Sequence, residues 1–150
     1  MYCFDSRVRY SEVDSKGAVK MNAILDYFQD CSSFQAEELG VGLSYMAEQG
    51  LVWVLTCWQV ELKRYPVFGE KIQVSTWPYD FKGFFGYRNY TMKGEGEELL
   101  ACANSIWALL DIESKKPVRV PEEMTDAYEF FPRLPMVLPD KRRILPVLPL

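Results

Sequence analysis

The chain has 150 residues, 49% of them apolar, and a net charge of −4. At roughly 100–200 residues per domain, this length predicts one domain with a sizeable core. Histidine is absent, which excludes His-dependent triads, imidazole bases and most transition-metal sites built from this chain's side chains, so no metal or other cofactor is expected. The basic residues are dispersed, without the concentrated stripe that a phosphate backbone requires, and nucleic acid is not an expected partner. No apolar run approaches the roughly 18–20 residues of a membrane span. The N-terminus, Met1-Tyr2-Cys3-Phe4-Asp5, lacks the basic region, apolar run and cleavage site of a signal peptide, so the expected compartment is the cytoplasm. Cys3, Cys31, Cys57 and Cys102 are scattered without CxxC spacing, which predicts reduced thiols, Cys57 and Cys102 acting as small core hydrophobes.

In chain order, Phe4 to Tyr10 reads as a short strand. Ser11 to Gly17 then supplies turn chemistry, with small polar residues and a glycine that accepts positive φ. From Asn22 to Leu39, Ile24, Leu25, Phe28, Cys31 and Phe34 recur at three- and four-residue steps while Asp26, Asp30 and Glu37 fall elsewhere; this period predicts an amphipathic helix. Asn22 is the expected N-cap, and Gly40 suits the left-handed position after the last turn. A short helix is expected over Leu43 to Gln49.

Beyond Gly50 the period changes to two. Trp58, Val60 and Leu62 fall on one face of a strand, with Gln59, Glu61 and Lys63 on the other. Tyr65 to Gly69 makes a turn into a second alternating strand over Lys71 to Thr76, and Lys82-Gly83 opens an aromatic-rich third from Phe84 to Met92. Lys93-Gly94-Glu95-Gly96 is a hairpin signal. Leu99 to Leu110 is apolar at almost every position, as expected of a strand covered on both faces. The order of strand, long helix and four consecutive strands predicts the α+β class, with an antiparallel sheet wrapped around one helix that borders an apolar ligand pocket. From Pro132 prolines recur and Lys141-Arg142-Arg143 adds a basic cluster, so residues 1–131 form the expected domain and 132–150 a proline-rich linker or tail.

Several segments carry a resemblance. Arg9-Tyr10-Ser11-Glu12-Val13-Asp14-Ser15-Lys16-Gly17, running into the buried helix, resembles the opening of hotdog-fold thioesterases. Leu51-Val52-Trp53-Val54-Leu55-Thr56, Val60-Glu61-Leu62-Lys63-Arg64-Tyr65-Pro66 and Phe68-Gly69-Glu70-Lys71-Ile72-Gln73-Val74-Ser75-Thr76-Trp77 add to it. With Ala103-Asn104-Ser105-Ile106-Trp107 and Val120-Pro121-Glu122-Glu123 they resemble, in order and spacing, the N-terminal hotdog domain of acyl-acyl carrier protein thioesterases. The similarity covers roughly Val8 to Met124. It implies a hotdog fold and a family in which the first of two hotdog domains shapes the acyl pocket while the second supplies the main catalytic polar residues, a histidine among them. The family's Asn-x-His segment has no counterpart here. The expectation is therefore either a piece of a two-hotdog enzyme or a half-length homologue that pairs with a second subunit.

Thioester hydrolysis needs a group that delivers water and donors for the developing oxyanion, and the first N–H groups of a helix are such donors. Gly17 and Asn22 flank the turn where those donors are expected. Asp14 matches the catalytic carboxylate of some single-domain hotdog thioesterases; the alternative is that it only caps the turn. Trp53 and Trp58 are the rings expected first along an acyl chain, against the alternative of plain core packing. Lys115, Lys116 and Arg119 form a basic loop suited to an acidic carrier protein, or simply a solvated one. The leading expectation is an acyl-acyl carrier protein thioesterase of which this chain is the acyl-binding half. A non-catalytic acyl-binding or assembly module, and a homodimeric acyl-CoA thioesterase using Asp14, are the alternatives. A lone hotdog sheet leaves an edge that needs covering, so a homodimer or pairing with a second hotdog domain is expected.

Overall fold

The computed structural model describes residues 1–136 and the backbone of a short strand at 145–146. The expected tail cluster Lys141-Arg142-Arg143 lies outside the described residues. The elements are β1 (Tyr2–Arg7), α1 (Met21–Glu38), α2 (Leu43–Gln49), β2 (Leu51–Leu62), β3 (Lys71–Lys82), β4 (Phe85–Lys93), β5 (Leu99–Asp111), α3 (Glu122–Ala127) and β6 (Leu145–Pro146). The strands form one antiparallel sheet in the order β1-β3-β4-β5-β2-β6.

α1 lies along one face of this sheet. Its buried stripe is Ala23, Ile24, Tyr27, Phe28, Cys31 and Gln35, which repeats at the three- and four-residue steps that return a side chain to the same face. The sheet offers Ile72 and Val74 from β3, Tyr90 and Met92 from β4, Ala101 and Ala103 from β5, and Trp58 from β2. Phe28 is fully buried, its ring 5.1 Å from that of Tyr90 and 6.2 Å from that of Trp58. The alanines of β5 leave room for these rings, because a central strand with small side chains lets a helix approach closely.

The helix differs from its sequence reading at two points. Phe34 is 46% exposed and meets Phe4 edge to face at 5.3 Å; the buried position of the last turn belongs to Gln35. Asn22 is not the N-cap. The cap is Lys20, whose carbonyl accepts the N–H groups of Ala23 (3.1 Å) and Ile24 (3.3 Å), and no side chain caps this end. The start is fixed instead by tertiary bonding, the Lys20 N–H donating to the Glu12 carbonyl at 3.0 Å.

Two strands run further than local pattern suggested. β3 continues through Pro78 to Lys82 because a bulge between Pro78 and Asp80 absorbs the missing N–H. β2 bulges between Leu55 and Cys57, so Leu51 and Trp58, an odd number of positions apart, both point inward and are buried. β5 is buried on both faces from Leu100 to Ser105. Its outer face includes Asn104, whose Oδ1 accepts the Tyr79 hydroxyl at 2.6 Å. Residues 131–134 run along that outer face: the Phe131 N–H reaches the Pro78 carbonyl, the Trp77 indole N–H the Pro132 carbonyl, and the Leu134 N–H the Asn89 Oδ1. α3, capped by Pro121 and anchored through buried Met124, had no periodic signature because it is only six residues long. Replacing Phe28 with alanine is expected to cost about 3–5 kcal/mol by removing apolar contact and leaving a cavity under α1; a denaturant-unfolding midpoint close to that of the parent would contradict this.

Candidate functional site

The segment before α1 is built as a rigid loop. Gly17 adopts φ +80°, where a side chain would be strained, and closes a turn whose amide donates to the Asp14 carbonyl at 3.0 Å. Isolated bridges join Val13 to Val19 and Ala18 to Val67, and the Gly17 carbonyl accepts the Phe68 N–H at 2.9 Å. The loop is thereby fastened to itself and to the β2–β3 turn.

Asp14 is exposed, and its Oδ1 accepts the backbone N–H groups of Lys16 (2.8 Å) and Ala18 (3.1 Å). These two bonds hold its carboxyl below the ordinary carboxylate range, because both stabilise the charged form. A carboxylate held this way is a strong turn cap and a weak proton acceptor. Asn22 is exposed on the second residue of α1. Glu12, two residues before Asp14, is turned inward: its Oε1 accepts the Arg9 N–H at 2.8 Å and the Tyr27 hydroxyl. Burial and the neighbouring Glu12 carboxylate push the Tyr27 phenol up to about 12. This contact ties the loop to the first turns of α1.

Trp58 and Trp53 occupy different places. Trp58 is 7% exposed and sits in the layer under α1, touching Phe28, Tyr90 and Trp107. Trp53 is half-buried and stacks on Phe81, with ring centroids 5.9 Å apart and planes 14° from parallel. It borders a second cluster, formed by Val41, Leu51, Leu109, Val120 and Met124. Gly86 permits this stack, since a Cβ there would stand 2.9 Å from the Phe81 ring and 3.2 Å from the Trp53 ring. A separate depression of about 460 Å³ lies at the end of the β1–β3 pair, lined by Asp5, Arg7, Lys71, Gln73 and Glu95 among others. No tryptophan lines it.

Between the two apolar clusters stands a buried polar group that sequence reading did not single out. Arg88 on β4 is 8% exposed, and its Nη1 donates to Gln35 Oε1 (2.6 Å) and Thr76 Oγ1 (3.0 Å). Its guanidinium lies 5.2 Å from the centre of the Tyr128 ring, a cation–π contact. Among the described residues no carboxylate pairs with it. Beside it the Tyr90 hydroxyl is fully buried and makes no hydrogen bond of ordinary geometry; desolvation pushes its phenol up, opposed by Arg88, Ser32 and Ser105. The signal for Arg88 was its parity with Tyr90 and Met92, a charge at an inward position of an alternating strand. For Gln35 it was the four-residue step from Cys31.

The described residues contain no group of three or more Cys, Asp or Glu side chains placed to hold a metal. No helix among them is long and apolar enough to cross a membrane. The basic loop expected at Lys115–Arg119 follows β5; Asp111 caps it through the N–H groups of Glu113 and Ser114.

Residues 2–128 match the family described as the acyl-ACP thioesterase N-terminal domain. The chain is 28% identical over 134 residues to the chloroplastic palmitoyl-acyl carrier protein thioesterase of Gossypium hirsutum, covering 83% of this chain and 32% of that protein. It therefore spans about a third of the length of the plant relatives it matches. It is 30% identical over 128 residues to the putative acyl-CoA thioesterase YneP of Bacillus subtilis, covering 81% of this chain and 91% of that protein. A solved acyl-ACP thioesterase from Bacteroides thetaiotaomicron shares the fold, with a TM-score of 0.83 and 24% identity over 93% of this chain and 57% of that one.

The Asp14 geometry has a measurable consequence. Because its folded pKa lies below the ordinary value of 3.8, the stability it contributes is present above that value and is lost as pH falls through the folded pKa. Carboxyl NMR titration is expected to place Asp14 below 3.8. In Asp14→Asn this component of acid sensitivity is expected to disappear. An unshifted titration would mean that the two backbone bonds do not persist in solution.

Proposed function

The chain belongs to the acyl-ACP thioesterase N-terminal domain family, and on that premise we propose that it is the acyl-binding half of an acyl-acyl carrier protein thioesterase. The reaction is hydrolysis of the thioester with release of free fatty acid. The observation that carries this reading is the pairing of a match over residues 2–128 to the N-terminal domain with the absence of histidine from the chain. The groups that move protons then come from a second hotdog domain. In this reading Gly17 and Asn22 border the thioester end at the start of α1, where no side chain caps the helix. Trp58 and Trp53 border the acyl chain, and Asp14 holds the turn that shapes the entrance.

Pairing with a second hotdog domain is supported by the outer edge of β2. Among the described residues β6 covers only Cys57 and Trp58 of that edge, leaving Leu51 to Thr56 as an open ladder. The compartment we propose is the cytoplasm, a reading supported by the free thiols of Cys3, Cys31, Cys57 and Cys102.

The likeness in length to YneP favours one second reading: a homodimeric acyl-CoA thioesterase in which Asp14 acts on the substrate. Incubating the purified chain with acyl-carrier-protein and acyl-CoA thioesters, while measuring both binding and released fatty acid, separates the two. Saturable binding with negligible turnover is expected. Turnover that Asp14→Asn abolishes would transfer the assignment to the second reading. Neither binding nor turnover would sink both.

A further inference from the structure

The surface around the start of α1 carries a feature that the acyl-binding reading leaves unused. Tyr10 is 81% exposed and Phe68 58%, and their rings meet edge to face at 6.1 Å. Val67 and Tyr65 beside them are 49% and 41% exposed. Isolated surface apolar residues need no explanation, but two exposed aromatic rings in contact, with exposed Val67 next to one of them in the chain, form a patch. The patch is held rigidly. The Phe68 N–H bonds the Gly17 carbonyl (2.9 Å), the Gly69 N–H bonds the Val8 carbonyl (3.0 Å), and Ala18 bridges to Val67.

Its charge is opposite to that of the chain as a whole. Residues 7–20 hold four basic side chains, Arg7, Arg9, Lys16 and Lys20, against two acidic ones, in a chain of net charge −4. All four basic residues are exposed, and among the described residues none forms an ion pair. The two acids are engaged internally: Glu12 holds Tyr27 and the Arg9 N–H, and Asp14 holds the Lys16 and Ala18 N–H groups. Glu70, across the turn, is taken by Arg64 at 2.7 Å. Within residues 7–20 the outward-facing charge is thus left to the cations, and the exposed Asp30 of α1 is an acid that acts on Arg9.

We infer that the Tyr10–Phe68 patch, with Arg9, Lys16 and Lys20 around it, is a docking surface for an acidic carrier protein that delivers the acyl thioester. The inference rests on the acyl-binding reading, because it places the carrier at the start of α1, where that reading has the thioester enter. The rigid aromatic pair supplies the apolar anchor and loses little conformational freedom on binding. The unpaired cations steer and orient an acidic partner. This surface is separate from the basic loop at Lys115–Arg119, which follows β5 and has no exposed aromatic pair.

The test uses the full chain and fluorescently labelled holo-acyl carrier protein, with binding read by anisotropy at low and high salt. The double variant Lys16→Glu/Lys20→Glu is expected to weaken binding at least about tenfold and to flatten its salt dependence. Tyr10→Ser/Phe68→Ser is expected to weaken it comparably, and Lys115→Glu/Lys116→Glu to leave it within about twofold. All three should keep the parent melting temperature and the parent affinity for an acyl-pantetheine thioester, which has no carrier protein. Parent-like carrier binding by the Lys16/Lys20 and Tyr10/Phe68 variants would overturn the inference, as would equal losses from the Lys115/Lys116 variant, which would reduce the effect to net charge. Binding to anionic phosphatidylglycerol vesicles without binding to the carrier would reassign the patch to a membrane surface. Dissociation of a dimer by Tyr10→Ser/Phe68→Ser, with carrier affinity unchanged, would reassign it to a second copy. Acyl-pantetheine binding without carrier binding defeats the docking surface alone, whereas loss of both defeats the acyl-binding reading with it.

Discussion

The seating of α1 against one face of the sheet is the contact from which the rest of the molecule takes its positions. Phe28 lies between Tyr90 and Trp58, with Ile24 and Cys31 on either side, and all are buried. Fully burying one side chain of this size is worth about 1.5–3 kcal/mol, so the stripe outweighs the lack of any side-chain cap at the helix start. The same seating fixes Tyr27 against Glu12, and through Glu12 the loop that carries Asp14 and Gly17. The geometry of that loop is thus inherited from core packing several residues away.

The interior changes character along the helix. Near the start of α1 the contacts are apolar and aromatic. Toward its end Gln35, Arg88, Thr76 and Tyr128 form a buried polar group in which neutral acceptors and a ring, among the described residues, take the place of a carboxylate. Burying a guanidinium is costly unless its donors are engaged. This cluster meets that cost with two hydrogen bonds and a cation–π contact. It adjoins Tyr90, which packs on Trp58, and includes Tyr128, which packs against the cluster that Trp53 borders.

The chemistry available to the chain is narrow for related reasons. With no histidine in the chain, the two carboxylates of the loop before α1 are both committed: Asp14 to backbone N–H groups and Glu12 to Tyr27. Four buried or partly buried tyrosines, Tyr27, Tyr79, Tyr90 and Tyr128, have phenols pushed up by desolvation and stay neutral at ordinary pH. Such an interior offers neutral side chains rather than a poised base, as the acyl-binding reading proposed above requires.

The helix, the succession of strands along the chain and the left-handed positions at Gly17 and Gly40 were legible in the sequence, because each follows from short-range steric rules and side-chain period. The resemblance in the segments from Arg9 to Glu123 identified the family for the same reason: residue order survives without knowledge of contacts. Sequence alone could not say that Asn22 would stand outside the cap, since Lys20 was placed there by its bond to Glu12 across the loop. Nor could it show that the β2 bulge keeps both Leu51 and Trp58 inward, or that β3 crosses Pro78. The meeting of Arg88 with Gln35, and of Tyr10 with Phe68, joins residues more than 50 positions apart. Local pattern determined which elements form and which faces are apolar; only tertiary packing decided which side chains meet, because those encounters depend on register and helix placement rather than on any neighbour in the chain.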